Sequence, residues 1–214
     1  MLSHGFLPNI IKKDDLRLVN SNLLNFLNKN DNKESYFSEI NKSIPCVYDL
    51  INQKVLSKVK ELLCTDNPSI CNVELHIQAR NSQIIPAHQD NFYHCINPTE
   101  GLKILIPLQS MTPSSGSLTF MDCDVNFPVQ RHVSSTVKNF SSYIPKNEFD
   151  RLNFKKTTYN YEIGDASFHF INSIHFSDGN HSNSEIYFIV FRFQIPNATI
   201  NKKALSIYEE CFSN

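Results

Sequence analysis

From residue 72 onward the chain changes its hydrophobic period. VELHIQ (73–78), LKILIPLQ (102–109), SLTFM (117–121), TTYNYEI (157–163), ASFHFI (166–171) and IYFIVFRFQI (186–195) are short runs rich in β-branched and aromatic residues, separated by turn signals. No strand–helix alternation joins them, which sets aside parallel α/β folds. The pattern left is an antiparallel sandwich or open barrel, typically a jelly roll. Sixteen Phe and eight Tyr, with no Trp, suit such a β-rich interior.

The residues before this switch have helical spacing. Leu16, Val19, Leu23 and Leu27 form one apolar stripe. Pro45 opens a second helix, in which Val47, Leu50, Ile51, Val55, Val59, Leu62 and Leu63 share a face. Between them NKNDNKESYFSEINKS reads as a loop. The expected protein is mainly β with flanking helices, in one domain. Residues 1–70 are mostly helical support, 71–196 the β core and 197–214 a C-terminal helix. Residues 124–156 are the least regular part, an excursion over the barrel mouth.

Charge and composition narrow the function. The formal net charge is −1 and there is no basic stripe, so nucleic acid is not an expected partner. No segment has the roughly 18 apolar residues of a membrane span. The start, MLSHGFLPNIIKKDDL, lacks the apolar run of a signal peptide. Six scattered cysteines include no Cys-x-x-Cys pair, so reduced thiols in a cytoplasm are expected.

PAHQDNFYHC (86–95) carries the chemistry. His88 and Asp90 are two apart, which on a strand places both side chains on one face. Imidazole with carboxylate suits a borderline divalent metal, and a histidine from another strand would complete a facial site with open positions. His76, His94, His132, His169, His175 and His181 are the candidates. His175 follows ASFHFINSI and precedes a polar turn, 85 residues past Asp90.

Three blocks together resemble the phytanoyl-CoA dioxygenase family. ELHIQARNSQIIPAHQDNFYHC is similar to its iron-binding strand, GLKILIPLQSMTPSSGSLTFM to the hairpin that follows, and GDASFHFINSIHFSDGNHSNS to its Gly-Asp turn and distal histidine. The resemblance covers about residues 73–195. It implies a double-stranded β-helix (a jelly-roll, cupin-like core) that binds Fe(II), with 2-oxoglutarate and O₂ as co-substrates, and hydroxylates a small molecule while releasing succinate and CO₂. His88, Asp90 and His175 map onto the iron ligands, and Ser177 onto a position that touches the co-substrate carboxylate. Asn91, Tyr93 and His94, just past Asp90, are candidates to face the substrate. His76 and His169 are read as packing or supporting groups, and His132 and His181 as exposed loop residues. Because halogenating relatives have a small residue where Asp90 stands, hydroxylation is favoured over halogenation.

The likeness breaks at the co-substrate anchor. The family places an arginine eleven residues after the distal histidine, and here that residue is Ile186. Arg192 has the same strand parity but lies six residues further on. Lys103, thirteen residues past Asp90, resembles the lysine that binds the co-substrate carboxylate in asparaginyl-hydroxylase and jumonji-type oxygenases. Either Lys103 or Arg192 is the expected anchor. The family's Pro-Gly-Ser-His turn is also absent at MDCDV (121–125), which alters the barrel mouth. A small polar metabolite, a free amino acid or a natural-product intermediate is the expected substrate. Two other classes fit the same residues: a cupin-like sensor that binds metal or ligand without turnover, and a metalloenzyme of this fold that does not use 2-oxoglutarate.

Overall fold

The computed structural model describes residues 1–30, 34–137 and 141–212. Residues 31–33, 138–140 and 213–214, which fall in the expected loop, excursion and C-terminal helix, lie outside the described residues. The strands are β1 (His4–Leu7), β2 (Tyr36–Phe37), β3 (Ser69–Gln78), β4 (Ile85–His88), β5 (Gly101–Pro107), β6 (Thr119–Met121), β7 (Val133–Ser134), β8 (Ser142–Tyr143), β9 (Lys156–Thr158), β10 (Ala166–Phe170), β11 (His175–Ser177) and β12 (Ile186–Gln194). The helices are α1 (Lys13–Lys29), α2 (Gln53–Leu63), α3 (Asn91–His94), α4 (Lys146–Phe149) and α5 (Lys202–Cys211).

The strands form a six-stranded sheet, ordered β1-β10-β5-β12-β3-β2, and a four-stranded sheet, ordered β4-β11-β6-β9. All the pairings in both are antiparallel. β7 and β8 form a separate hairpin.

Alternation along β5 and β12 explains the two-layer core. Leu102, Ile104, Ile106, Ile189, Phe191 and Phe193 pack outward with Leu16, Val19 and Leu23 of α1 and Val55, Val59 and Leu62 of α2. Leu105, Ile186, Phe188 and Val190 point the other way, with Leu118 and Phe120 of the opposing sheet region. The central strands are buried on both faces, so they read as nearly continuous apolar runs.

The element boundaries differ from expectation where short polar segments decide them. The helix expected after Pro45 is a 3-10 turn, Pro45–Leu50, and α2 starts anew at Gln53. Asn52 causes the restart: its side chain accepts from the Lys54 and Val55 backbone amides, an N-cap that ends one segment and begins the next. The strand expected over 157–163 is only three residues long, followed by an isolated bridge from Tyr161 to Met111. β1, in the region expected to be helical, extends the large sheet by pairing with β10. The excursion at 124–156 contains β7, β8 and α4.

Gly179 locks the turn between β11 and β12. Its φ is +91°, and a Cβ there would lie 2.4 Å from the Ser82 carbonyl oxygen. A non-glycine residue would be strained in φ and would push against backbone. Gly179→Ala is expected to destabilise the protein by about 2–4 kcal/mol. Urea unfolding measures this, and a loss below about 0.5 kcal/mol would show that the turn is not held as described.

Candidate metal centre

β4 and β11 are antiparallel neighbours, with His88 directly opposite His175. Their ring centroids are 4.2 Å apart. Asp90 does not lie on the strand, as the i, i+2 argument supposed. β4 ends at His88, and Asp90 has helical φ and ψ (−57°, −33°) at the start of α3. The turn, rather than strand alternation, brings its carboxylate back to the imidazoles. That turn is pinned by Gln89, whose side-chain amide donates to the Asn172 carbonyl at 2.7 Å and accepts from the Gln130 backbone at 2.7 Å.

One ligand atom each from His88, Asp90 and His175 lie within 4.8 Å of one another, and all three residues are buried. Their chemistry fits a divalent metal. His88 Nδ1 lies 2.8 Å from the Pro86 carbonyl, and His175 Nδ1 lies 3.0 Å from the Ser173 carbonyl. A carbonyl only accepts, so both Nδ1 atoms carry the proton and both Nε2 atoms carry the lone pair, the arrangement that orients metal-binding histidines. Burial and the neighbouring His175 lower the His88 pKa to about 3. Burial, with His169 adding to it, lowers that of His175 to about 4. Both rings are therefore neutral at pH 7.

Asp90 is the most heavily supported group. Burial alone would raise its pKa, but Lys103, with His169 and His175, holds it well below the ordinary carboxylate range. Lys103 Nζ is 3.1 Å from Asp90 Oδ2, His169 Nε2 is 3.3 Å from the same oxygen, and the Tyr93 hydroxyl donates to Oδ1. Glu74 Oε2 lies 3.8 Å from Lys103 Nζ and 3.1 Å from His76 Nε2. Burial works against the Glu74 carboxylate, yet Lys103 and His76 bring its pKa down to about 2.

The triad lines a cavity of about 830 Å³. Lys103 and Tyr93 line it too, and Lys103 is its one lysine or arginine among the described residues. Arg192 sits directly opposite Lys103 in the β12–β5 register, so both start from the same face. Its guanidinium reaches His94 Nδ1 at 2.8 Å, and neither residue lines the cavity. Ile186 is buried in the inner apolar cluster. Ser177 is buried away from the cavity wall: its hydroxyl donates to the Gly116 carbonyl and accepts from the Gly179 amide. Asn91 is likewise occupied, its amide bonded to Ile96 and Asn172, and it closes the turn instead of facing a ligand.

His132 is buried, contrary to the exposed loop position expected for it. Its Nε2 accepts from the Gln89 amide at 3.1 Å, and its ring stacks on Phe92 at 4.2 Å. His181 is exposed. The sequence reading missed Glu74 and Gln89, and gave His169 no more than a general supporting role. For Glu74 and His169 a signal exists: each alternates with apolar residues that face the helices, so each must point between the sheets.

The sequence matches no family model and no curated protein. Solved structures do match. The apo form of ThoJ, a non-heme monooxygenase, is 13% identical over 94% of this chain and 76% of its own, with a TM-score of 0.77. The epimerase SnoN, in complex with Fe3+, alpha ketoglutarate and nogalamycin RO, is 11% identical over 100% of this chain and 87% of its own, with a TM-score of 0.73. EvdO2 from Micromonospora carbonacea var. aurantiaca, complexed with 2-oxoglutarate, is 13% identical over 94% and 91%, with a TM-score of 0.72. The fold is a double-stranded β-helix. At these identities the likeness concerns the fold, and chemistry has to be argued from the site.

Proposed function

We propose that this protein is an Fe(II)- and 2-oxoglutarate-dependent oxygenase of the phytanoyl-CoA dioxygenase type, acting on a small molecule in the cytoplasm. One observation carries the reading: two neutral imidazoles with fixed tautomers and one ionised carboxylate converge on the wall of a large cavity. The fold supports it, since structures of the same fold hold Fe3+ or 2-oxoglutarate.

In this reading His88, Asp90 and His175 hold the iron, which supplies oxidation of the substrate by O₂ coupled to decarboxylation of the keto acid. Lys103 keeps Asp90 ionised and offers positive charge to the dianionic co-substrate. An ammonium has three donors, and Asp90 takes one at 3.1 Å, so donors remain for a co-substrate carboxylate. Arg192 is a weaker anchor because His94 holds its guanidinium. Asp90 supplies a carboxylate ligand, which supports hydroxylation over halogenation. SnoN holds nogalamycin RO, in keeping with a small-molecule substrate here.

Anaerobic titration of the Fe(II) protein with 2-oxoglutarate is expected to give the weak visible band of the metal-bound keto acid. Lys103→Ala is expected to weaken that titration at least tenfold, and Arg192→Ala much less. No band despite bound iron would overturn the assignment. Ile186 at the arginine position favours a second reading in that event, a metalloenzyme of this fold that does not use 2-oxoglutarate.

A further inference from the structure

The cavity wall facing His88 and His175 carries an organised row of rings. In the sheet register Tyr36 of β2 lies opposite His76 of β3, and His76 lies opposite Phe188 of β12. The Tyr36 and His76 rings meet edge-on at 5.1 Å and 71°. The His76 and Phe188 rings lie parallel at 5.0 Å and 5°. All three line the cavity. A row across three neighbouring strands is about 10 Å wide, and face-to-face sheets stand about 10 Å apart. A flat ring system laid along such a row can meet all three rings in edge-to-face or offset contact.

Charge complements this shape. Glu74, Asp90 and Lys103 are the only carboxylates and the only cation on the cavity lining among the described residues, and they are paired with one another. Once 2-oxoglutarate has taken the remaining Lys103 donors, a phosphate, sulfonate or zwitterion entering here would give up hydration and find no unpaired opposite charge. Serines, glutamines and phenols, among them Ser82, Gln83, Ser141 and Tyr208, make up much of the remaining polar lining. A cavity of about 830 Å³ is also at the upper end of the size used for drug-sized ligands, far more than a keto acid needs.

We infer that the substrate carries a planar, uncharged ring system that lies on the Tyr36–His76–Phe188 row, and that Tyr36 is a specificity-determining contact. This deepens the proposed oxygenase reading and rests on it for the meaning of "substrate". It selects a ring-bearing compound over a free amino acid or a charged metabolite.

The test is calorimetric titration of the full chain, with Zn(II) in place of iron and 2-oxoglutarate at saturation. The probes are 2-naphthol (flat and neutral), 2-decalol (the saturated counterpart), naphthalene-2-sulfonate (flat and anionic) and phenylalanine. 2-Naphthol is expected to bind at least about fivefold tighter than 2-decalol and at least about tenfold tighter than the sulfonate or phenylalanine. Tyr36→Leu is expected to remove the preference for the flat probe, and Tyr36→Phe to keep it. Equal binding of 2-decalol, tighter binding of the sulfonate or phenylalanine, or an unchanged Tyr36→Leu would each overturn the inference. The 2-oxoglutarate titration that precedes the probes reads out the oxygenase assignment by itself. Failure of 2-oxoglutarate to bind sinks that assignment, whereas failure of the flat probe with 2-oxoglutarate bound sinks only the ring inference.

Discussion

Lys103→Met is expected to cost the metal-free protein about 3–5 kcal/mol, one of the largest effects of any single substitution in this chain. Lys103 is buried, and burial disfavours its charge, but Asp90 at 3.1 Å and Glu74 at 3.8 Å outweigh that and raise its pKa. Removing the ammonium leaves two buried carboxylates without their shared cation. His169 and Tyr93 still bond Asp90, but in its neutral form the imidazole adds no charge. A divalent ion held by the triad would supply positive charge at the same place. The loss should therefore shrink when the metal is present, since a ligand that binds only the native state stabilises it by mass action. Urea unfolding of wild type and Lys103→Met, with and without saturating Mn(II), gives the four numbers. A cost below about 1 kcal/mol without metal would mean that the Lys103–Asp90–Glu74 cluster does not hold the site. An equal cost with and without metal would separate Lys103 from the metal centre.

That cluster marks the boundary of what the sequence made legible. The switch of period at residue 72 led to the antiparallel β core and to helices covering one of its sides, because apolar alternation is a direct record of which face is buried. The same alternation placed Lys103 opposite Leu102 and Ile104, and the structure puts it on the inner face with Leu105. His88, Asp90 and His175 were singled out from spacing and resemblance, and the structure gathers them, although Asp90 arrives through a turn that strand logic does not describe. The short strands β1, β4 and β11 were not separable from loops, since three or four residues carry too little periodicity. Nor could spacing show that Arg192 is taken up by His94, or that Ser177 spends its hydroxyl on Gly116 and Gly179. Those are choices between partners that lie far apart in sequence, and only the packed register decides them.

The histidines give the second large effect, a contrast between two responses to acid. In the folded chain burial holds His88 and His94 at about 3, and His132 and His175 at about 4. In the unfolded chain each returns to about 6.5. Between pH 6.5 and about 4 the unfolded state therefore binds more protons than the folded one, so stability is full above 6.5 and falls as pH drops through that window. Each histidine adds up to about 1.4 kcal/mol per pH unit to the slope. Metal affinity should barely respond to the same change. His88 and His175 are already neutral in the folded apo protein, so binding has no imidazole proton to displace at pH 7 or at pH 5. Two unshifted histidines with pKa near 6.5 would lose several hundredfold in affinity over those two units. The folded protein is expected to lose less than about threefold in Kd for Mn(II), while its unfolding free energy drops by several kcal/mol over the same interval. A Kd that rises a hundredfold by pH 5 would show that these imidazoles are solvated rather than buried. A stability that stays flat to pH 5 would show that the unfolded chain keeps them as dry as the native one.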